Sequence, residues 1–247
     1  MRCVALLVLA LPVVGLGGCM PERCRAENSE ISMVARVVDV LPGSGEEVRV
    51  SVDFATGDRT QIPVPWSACD GDRVLINGED ASGTERDDRT EYAITYDGSG
   101  PETVTVELDR ANQSEVVSAD VTRPPRFEIL APAFGESLSR SEEHLLEWDP
   151  PNDGGEMQIE LQEELGGGRC VVTDVEEHDY KGVGGVRVED DGNWIIPGDV
   201  LTNDGDLRCE ARYVMSRFVQ GEYPEAFASG GFIEAQVLRI VVFESVP

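Results

Sequence analysis

The sequence predicts an all-β protein, two β-sandwich domains that follow a cleaved leader and a short tether. Three observations carry that prediction. Apolar residues alternate with polar ones at period two along many short segments, no segment sustains an apolar stripe at 3.6-residue spacing, and clusters of Gly, Asp, Asn and Pro punctuate the chain at regular intervals. With 247 residues and 40% hydrophobic content, the chain is large enough to bury a core in each of two domains.

Residues 1–18 read as a signal peptide. Arg2 precedes an apolar run from Val4 to Leu16, about a dozen residues where a membrane-spanning helix needs roughly 20. The run ends in Leu16-Gly17-Gly18-Cys19, which resembles the lipobox of bacterial lipoproteins. That resemblance implies cleavage before Cys19 and acylation of Cys19, and two or more acyl chains hold a protein stably on a bilayer. The other reading is an ordinary secretory signal with Cys19 in a disulfide. Met20 comes next, not the Asp that resembles an inner-membrane retention signal, so the expected location is the cell envelope at the outer membrane. Residues 19–29 form the lipidated Cys and a polar tether in this reading.

The first sandwich is expected over residues 30–122. Val48, Val50, Val52 and Phe54 alternate with Arg49, Ser51 and Asp53, as a strand with one buried and one solvated face requires. Tyr92, Ile94 and Tyr96 repeat the pattern, as do Val104, Val106 and Leu108. Shorter strands are expected over Ile31–Val40, Gln61–Val64, Arg73–Ile76 and Glu115–Val121, with turns such as Asn77-Gly78 and Asp97-Gly98-Ser99-Gly100 between them. Arg123-Pro124-Pro125-Arg126 then reads as a stiff linker, because two prolines remove backbone donors.

The second sandwich is expected over residues 127–247. Its strands are predicted at Phe127–Leu130, His144–Trp148, Met157–Leu165, Cys170–Val175, Gly185–Val188, Asn193–Ile196, Leu207–Phe218 and Phe232–Phe243. The stretch from Leu145 to Glu156, with Trp148 ahead of Asp149-Pro150-Pro151-Asn152-Asp153-Gly154, resembles the B strand and B–C turn of fibronectin type III domains. The likeness extends from Phe127 to Leu161 and implies an immunoglobulin-like sandwich with Trp148 in its core. The whole layout, from the lipobox to the Gly230-Gly231-Phe232 ending strand, is also similar to predicted lipoproteins of myxobacteria.

Four cysteines remain once Cys3 leaves with the leader and Cys19 is acylated. Cys24, Cys69, Cys170 and Cys209 allow three pairings. The pairing that respects the domain boundary is Cys24 with Cys69 and Cys170 with Cys209. Their spacing lacks the short C-x2-C clusters that zinc needs.

Charge and residue inventory narrow the function. The chain carries 48 Asp plus Glu against 20 Lys plus Arg, a net charge of -28, which repels nucleic-acid phosphates. Its two histidines and single lysine, Lys181, sit in no catalytic motif: His144 shares a strand face with Leu146 and Trp148, and His178 lies among Glu176, Glu177 and Asp179. A Ca2+ site could draw on Asp149, Asp153, Asp204 and Asp206, although no run matches the EF-type loop. Trp66 and Trp194 are the candidates for stacking a sugar, against the alternative that each plugs one end of a sandwich. The expected function is therefore a membrane-anchored envelope lipoprotein of non-enzymatic binding, adhesion or scaffolding type, with a protein or polysaccharide partner. The alternatives are a carboxylate-dependent envelope hydrolase, such as a glycosidase, and a structural subunit of an envelope complex.

Overall fold

The structure is a computed structural model that describes residues 22–40, 46–56, 64–86, 89–163, 185–198, 200 and 208–247. These residues contain seventeen strands, two short 3-10 turns and no α-helix. The first nine strands are β1 (Ile31–Val40), β2 (Glu47–Thr56), β3 (Val64–Trp66), β4 (Arg73–Ile76), β5 (Glu79–Asp80), β6 (Ser82–Arg86), β7 (Arg89–Asp97), β8 (Thr103–Asp109) and β9 (Val117–Thr122). After the prolines come β10 (Glu128–Ala131), β11 (Ser137–Ser139), β12 (His144–Asp149), β13 (Glu156–Glu163), β14 (Val186–Glu189), β15 (Asn193–Ile196), β16 (Cys209–Gln220) and β17 (Phe232–Val246).

One ten-stranded sheet forms the base of the molecule. Its path is β14-β13-β16-β17-β1-β2-β7-β6, with β3 added beside β2 and β11 beside β17. Two smaller sheets, β5-β4-β8-β9 and β10-β12-β15, cover it. Period-two burial explains the layering. Ile31, Met33, Ala35 and Val37 of β1 and Val48, Val50, Val52 and Phe54 of β2 face Val74, Val104, Val106 and Val121 across the first core. Met157, Ile159 and Leu161 of β13 and Ala211, Tyr213 and Met215 of β16 face Leu146, Trp148 and Ile196 across the second. Each buried Val, Leu or Ile contributes roughly 1.5–3 kcal/mol, so the alternation itself selects the sandwich.

The two cores share a strand. Ile233 and Ala235 of β17 belong to the first core, while Val237, Val241 and Phe243 belong to the second. Alternate residues of a strand share a face, so both cores lie on the same side of the large sheet. β17 joins them by pairing in parallel with β1, from Val34 with Phe232 to Val40 with Leu238, and antiparallel with β16.

The sequence-based boundary at residues 123–126 lies between β9 and β10. There are two cores but one continuous sheet, and Tyr223, Phe227, Ile233 and Ala235 pack with the first half of the chain. Fifteen residues at about 3.3 Å each give β17 a reach of roughly 50 Å, enough to span both sandwiches. Nothing in its unbroken alternation marks where one core stops.

The residues expected to form the linker and the tether make defined contacts. Pro124 is buried, and Arg123 and Arg126 are held by ion pairs. Of the residues 19–29 expected to form a tether, those from Glu22 onward are folded into two 3-10 turns, Glu22–Arg25 and Asn28–Glu30. A disulfide joins Cys24 to Cys69. Cys209 is disulfide-bonded as well, while Cys170, the partner expected for it, lies outside the described residues. Residues 1–18 and Cys19 lie outside them too.

Candidate functional site

The face of the large sheet opposite the two cores, which no other described strand covers, is the candidate site. Residues of even number on β1, β16 and β17 point there, opposite the two cores. Register places Phe218, Gln236, Val38 and Arg49 in one row across β16, β17, β1 and β2. The next row carries Gln220, Glu234, Arg36 and Ser51, and the one beyond it Phe232, Val34, Asp53 and Glu91. Two open clefts lie on this face. One of about 420 Å³ is lined by Val34, Arg36, Ser51, Asp53, Arg86 and Arg89, among others. The second, about 210 Å³, is lined by Gln158, Arg187, Phe218, Glu234 and Gln236. Glu234 links them, because it lines the smaller cleft and pairs with Arg36 of the larger at 3.1 Å.

Charge on this face is balanced locally. Arg49 and Arg86 bracket Glu91 at 3.2 and 3.3 Å. Arg36 lies over the Phe232 ring at 5.0 Å, and Arg187 over Phe218 at 4.6 Å. These pairs are partly solvated, and such ion pairs contribute only about 0–1 kcal/mol each, so the guanidinium groups can leave them at little cost. Phe218, Phe232 and Leu238 are half-buried, and Ile240 is 46% exposed. The result is an arginine- and phenylalanine-bearing surface on a rigid sheet.

A buried polar clasp lies between the two cores, behind that sheet. Asp39, at the end of the inward row of β1, is fully buried and pairs with three arginines. Arg123 donates to its Oδ2 through Nη1, Arg126 donates to the same oxygen through Nε at 2.7 Å, and Arg239 Nη1 reaches Oδ1 at 3.4 Å. Beside it, Arg217 makes a two-pronged contact with Asp190, through Nε at 2.5 Å and Nη2 at 2.8 Å. Asp190 also accepts from Trp148 Nε1 at 2.7 Å. The Phe127 ring lies against both cations, 4.8 Å from Arg217 and 5.8 Å from Arg239. Burial, aided by the like charge of Arg126, pushes Arg123 and Arg239 below the usual arginine value, while Asp39 pulls both upward. For Arg126, burial acts downward, but hydrogen bonds to Asp39 and Glu46 outweigh it and leave its pKa raised.

Another arginine organises the opposite end of the first sandwich. Arg110, 1% exposed, donates to the carbonyls of Cys24 and Ala26 and to Asn28 Oδ1, and its guanidinium lies 5.2 Å from the Trp66 ring centre. Asn112 Nδ2 adds a further bond to the Cys24 carbonyl at 3.0 Å.

The residues expected to form a site are scattered. Trp66 is fully buried between Phe54 and Arg110, so its faces are closed to a sugar. It plugs the end of the sandwich instead. Trp194 is half-buried against the second core, and Trp148 is in that core at 2% exposure. His144 is buried, with Nε2 donating to the Ser139 carbonyl at 2.6 Å. Asp149 and Asp153 are exposed, and among the described residues no three His, Cys, Asp or Glu side chains converge as a metal site would need. Asp204, Asp206, His178 and Lys181 lie outside those residues. A third open cleft, about 590 Å³, collects Asp120, Glu222 and Glu225 beside Tyr223.

Sequence reasoning missed the clasp, although a signal was present. Asp39 falls in step with Ile31, Met33, Ala35 and Val37, Arg239 with Val237 and Val241, and Arg217 with Tyr213 and Met215. A charge at the inward phase of a strand must find a buried partner. The chain matches no family model and no curated protein. No helix among the described residues is long and apolar enough to cross a membrane.

Proposed function

We propose that this is an envelope lipoprotein, anchored through acylated Cys19, that binds a partner protein on the uncovered face of its ten-stranded sheet. The observation that carries the reading is the local balance of charge on that face. A chain of net charge -28 repels most acidic surfaces at long range. Where Arg36, Arg49 and Arg86 are matched to Glu234 and Glu91, a second surface can approach without that penalty. Arginine and aromatic residues, which this face displays, are also the residues enriched at protein interfaces.

Two measurements test the proposal. A photo-crosslinking residue at Gln236, in the full-length protein in its own envelope, is expected to trap one defined adduct, whereas the same residue at Glu107 of β8 traps none. Equal yields at both positions, or none at Gln236, would overturn the binding face. Anchoring is tested separately: Cys19→Ala is expected to move the protein out of the membrane fraction, and retention there would sink the lipid reading. A hydrolase is the second reading, supported by the three carboxylates that share the cleft at Glu222. It requires that Asp120→Asn or Glu222→Gln abolish a measurable cleavage of envelope glycan.

A further inference from the structure

We infer that the Cys24–Cys69 end of the first sandwich sits directly against the bilayer, and that the strands of the large sheet rise from it, carrying the second sandwich outward. This rests on the proposed acylation of Cys19.

The argument is one of chain length and rigidity. Cys19 is three residues from Glu22, so covalent geometry limits the lipid-bearing residue to roughly 11 Å from the first described residue. From Glu22 onward there is little slack. The disulfide fixes Cys24 to Cys69, Arg110 grips the carbonyls of Cys24 and Ala26, and Gln113 Nε2 donates to Glu27 at 3.0 Å. A long flexible tether would let the body tumble over the membrane. This one is too short and too firmly held.

Strand register converts the attachment point into heights. Trp66 lies opposite Phe54, which lies opposite Met33, so Trp66 is at the tethered end. Asp39 is six residues further along β1, about 20 Å at 3.3 Å per residue, and it marks the level of the clasp. Trp148 is at that level through Asp190 and Arg217. Trp194, opposite Leu146, is higher still. From Val237, which pairs with Asp39, β17 runs nine more residues to Val246, about another 30 Å. The three tryptophans are therefore graded in distance from the anchor.

That gradient supplies the test. The full-length acylated protein is placed in vesicles containing a dansyl-headgroup lipid, and energy transfer from tryptophan is measured. Trp66→Phe is expected to remove most of the transfer, and the double variant Trp148→Phe/Trp194→Phe to remove little. The double variant reports the same distance without disturbing Trp66, so a folding defect in Trp66→Phe leaves the test intact. Loss of about one-third for each tryptophan would mean that the sheet lies flat, overturning the orientation alone. Failure of the wild-type protein to float with the vesicles would overturn the anchoring, and this inference with it.

Discussion

Replacing Asp39 with Asn is expected to destabilise the protein by about 3–5 kcal/mol. The side chain is fully buried, and the amide keeps its shape while removing the one negative charge shared by Arg123, Arg126 and Arg239. Arginine stays protonated at every accessible pH, so the three cations remain and face one another. Glu46 pairs directly with Arg126 and acts on Arg239 only at longer range. Breaking a buried ion pair from one side typically costs about 3–5 kcal/mol, because the surviving charge is left uncompensated, and here three survive. At roughly 2–4 °C per kcal/mol for a protein of this size, the melting temperature should fall by about 10 °C. Urea unfolding monitored by tryptophan emission checks the magnitude. Combining the change with Arg239→Met should cost less than the sum of the two single variants, by about 0.5–3 kcal/mol, as coupled partners do. A loss below about 1 kcal/mol for Asp39→Asn, or strict additivity in the cycle, would refute the clasp as an energetic unit.

Two further predictions concern the first sandwich. Cys24→Ser with Cys69→Ser opens a link between residues 45 apart in sequence, for which loop-closure entropy predicts a loss of about 4 kcal/mol, readable as a lower urea midpoint. An unchanged midpoint would show that Arg110 alone holds the Cys24 end of the sandwich. Tyr96 supplies a pH dependence. Burial raises its pKa above the usual 10.0, only partly offset by the hydrogen bond from Asn77. The folded state therefore disfavours the phenolate, and this contribution is whole below pH 10 and lost as pH climbs through the raised value. Melting curves of wild type and Tyr96→Phe should converge or cross as pH rises above the ordinary phenol value of 10.0. Parallel curves would refute the assignment.

Strand existence was largely legible in the sequence, because alternation reports burial directly. Ile31–Val40, Arg73–Ile76 and Asn193–Ile196 have the bounds predicted for them. The strands that were missed have no buried face to announce them. All five residues of β6 are exposed, β5 has two exposed residues, and β11 is a three-residue addition at the side of β17. Topology was less legible for a different reason. Period two shows that Ile233 and Phe243 face inward, but it cannot show that different partners cover the two ends of one strand. The candidate face was invisible for the complementary reason: Arg36, Glu234 and Phe218 become neighbours only through pairing across β1, β17 and β16.

The sharing of β17 sets an order of events for the nascent chain. Arg36 and Glu234, on adjacent strands, are 198 residues apart, so the central parallel pair cannot form until β17 has emerged. Contacts of such long range are slow to form and leave apolar strand edges open in the meantime. The Cys24–Cys69 link, by contrast, joins residues only 45 apart. Neither sandwich can be completed in isolation, so both cores should be acquired together, after β17 arrives. Until β17 is delivered, both cores lack a strand and their facing apolar rows stay open.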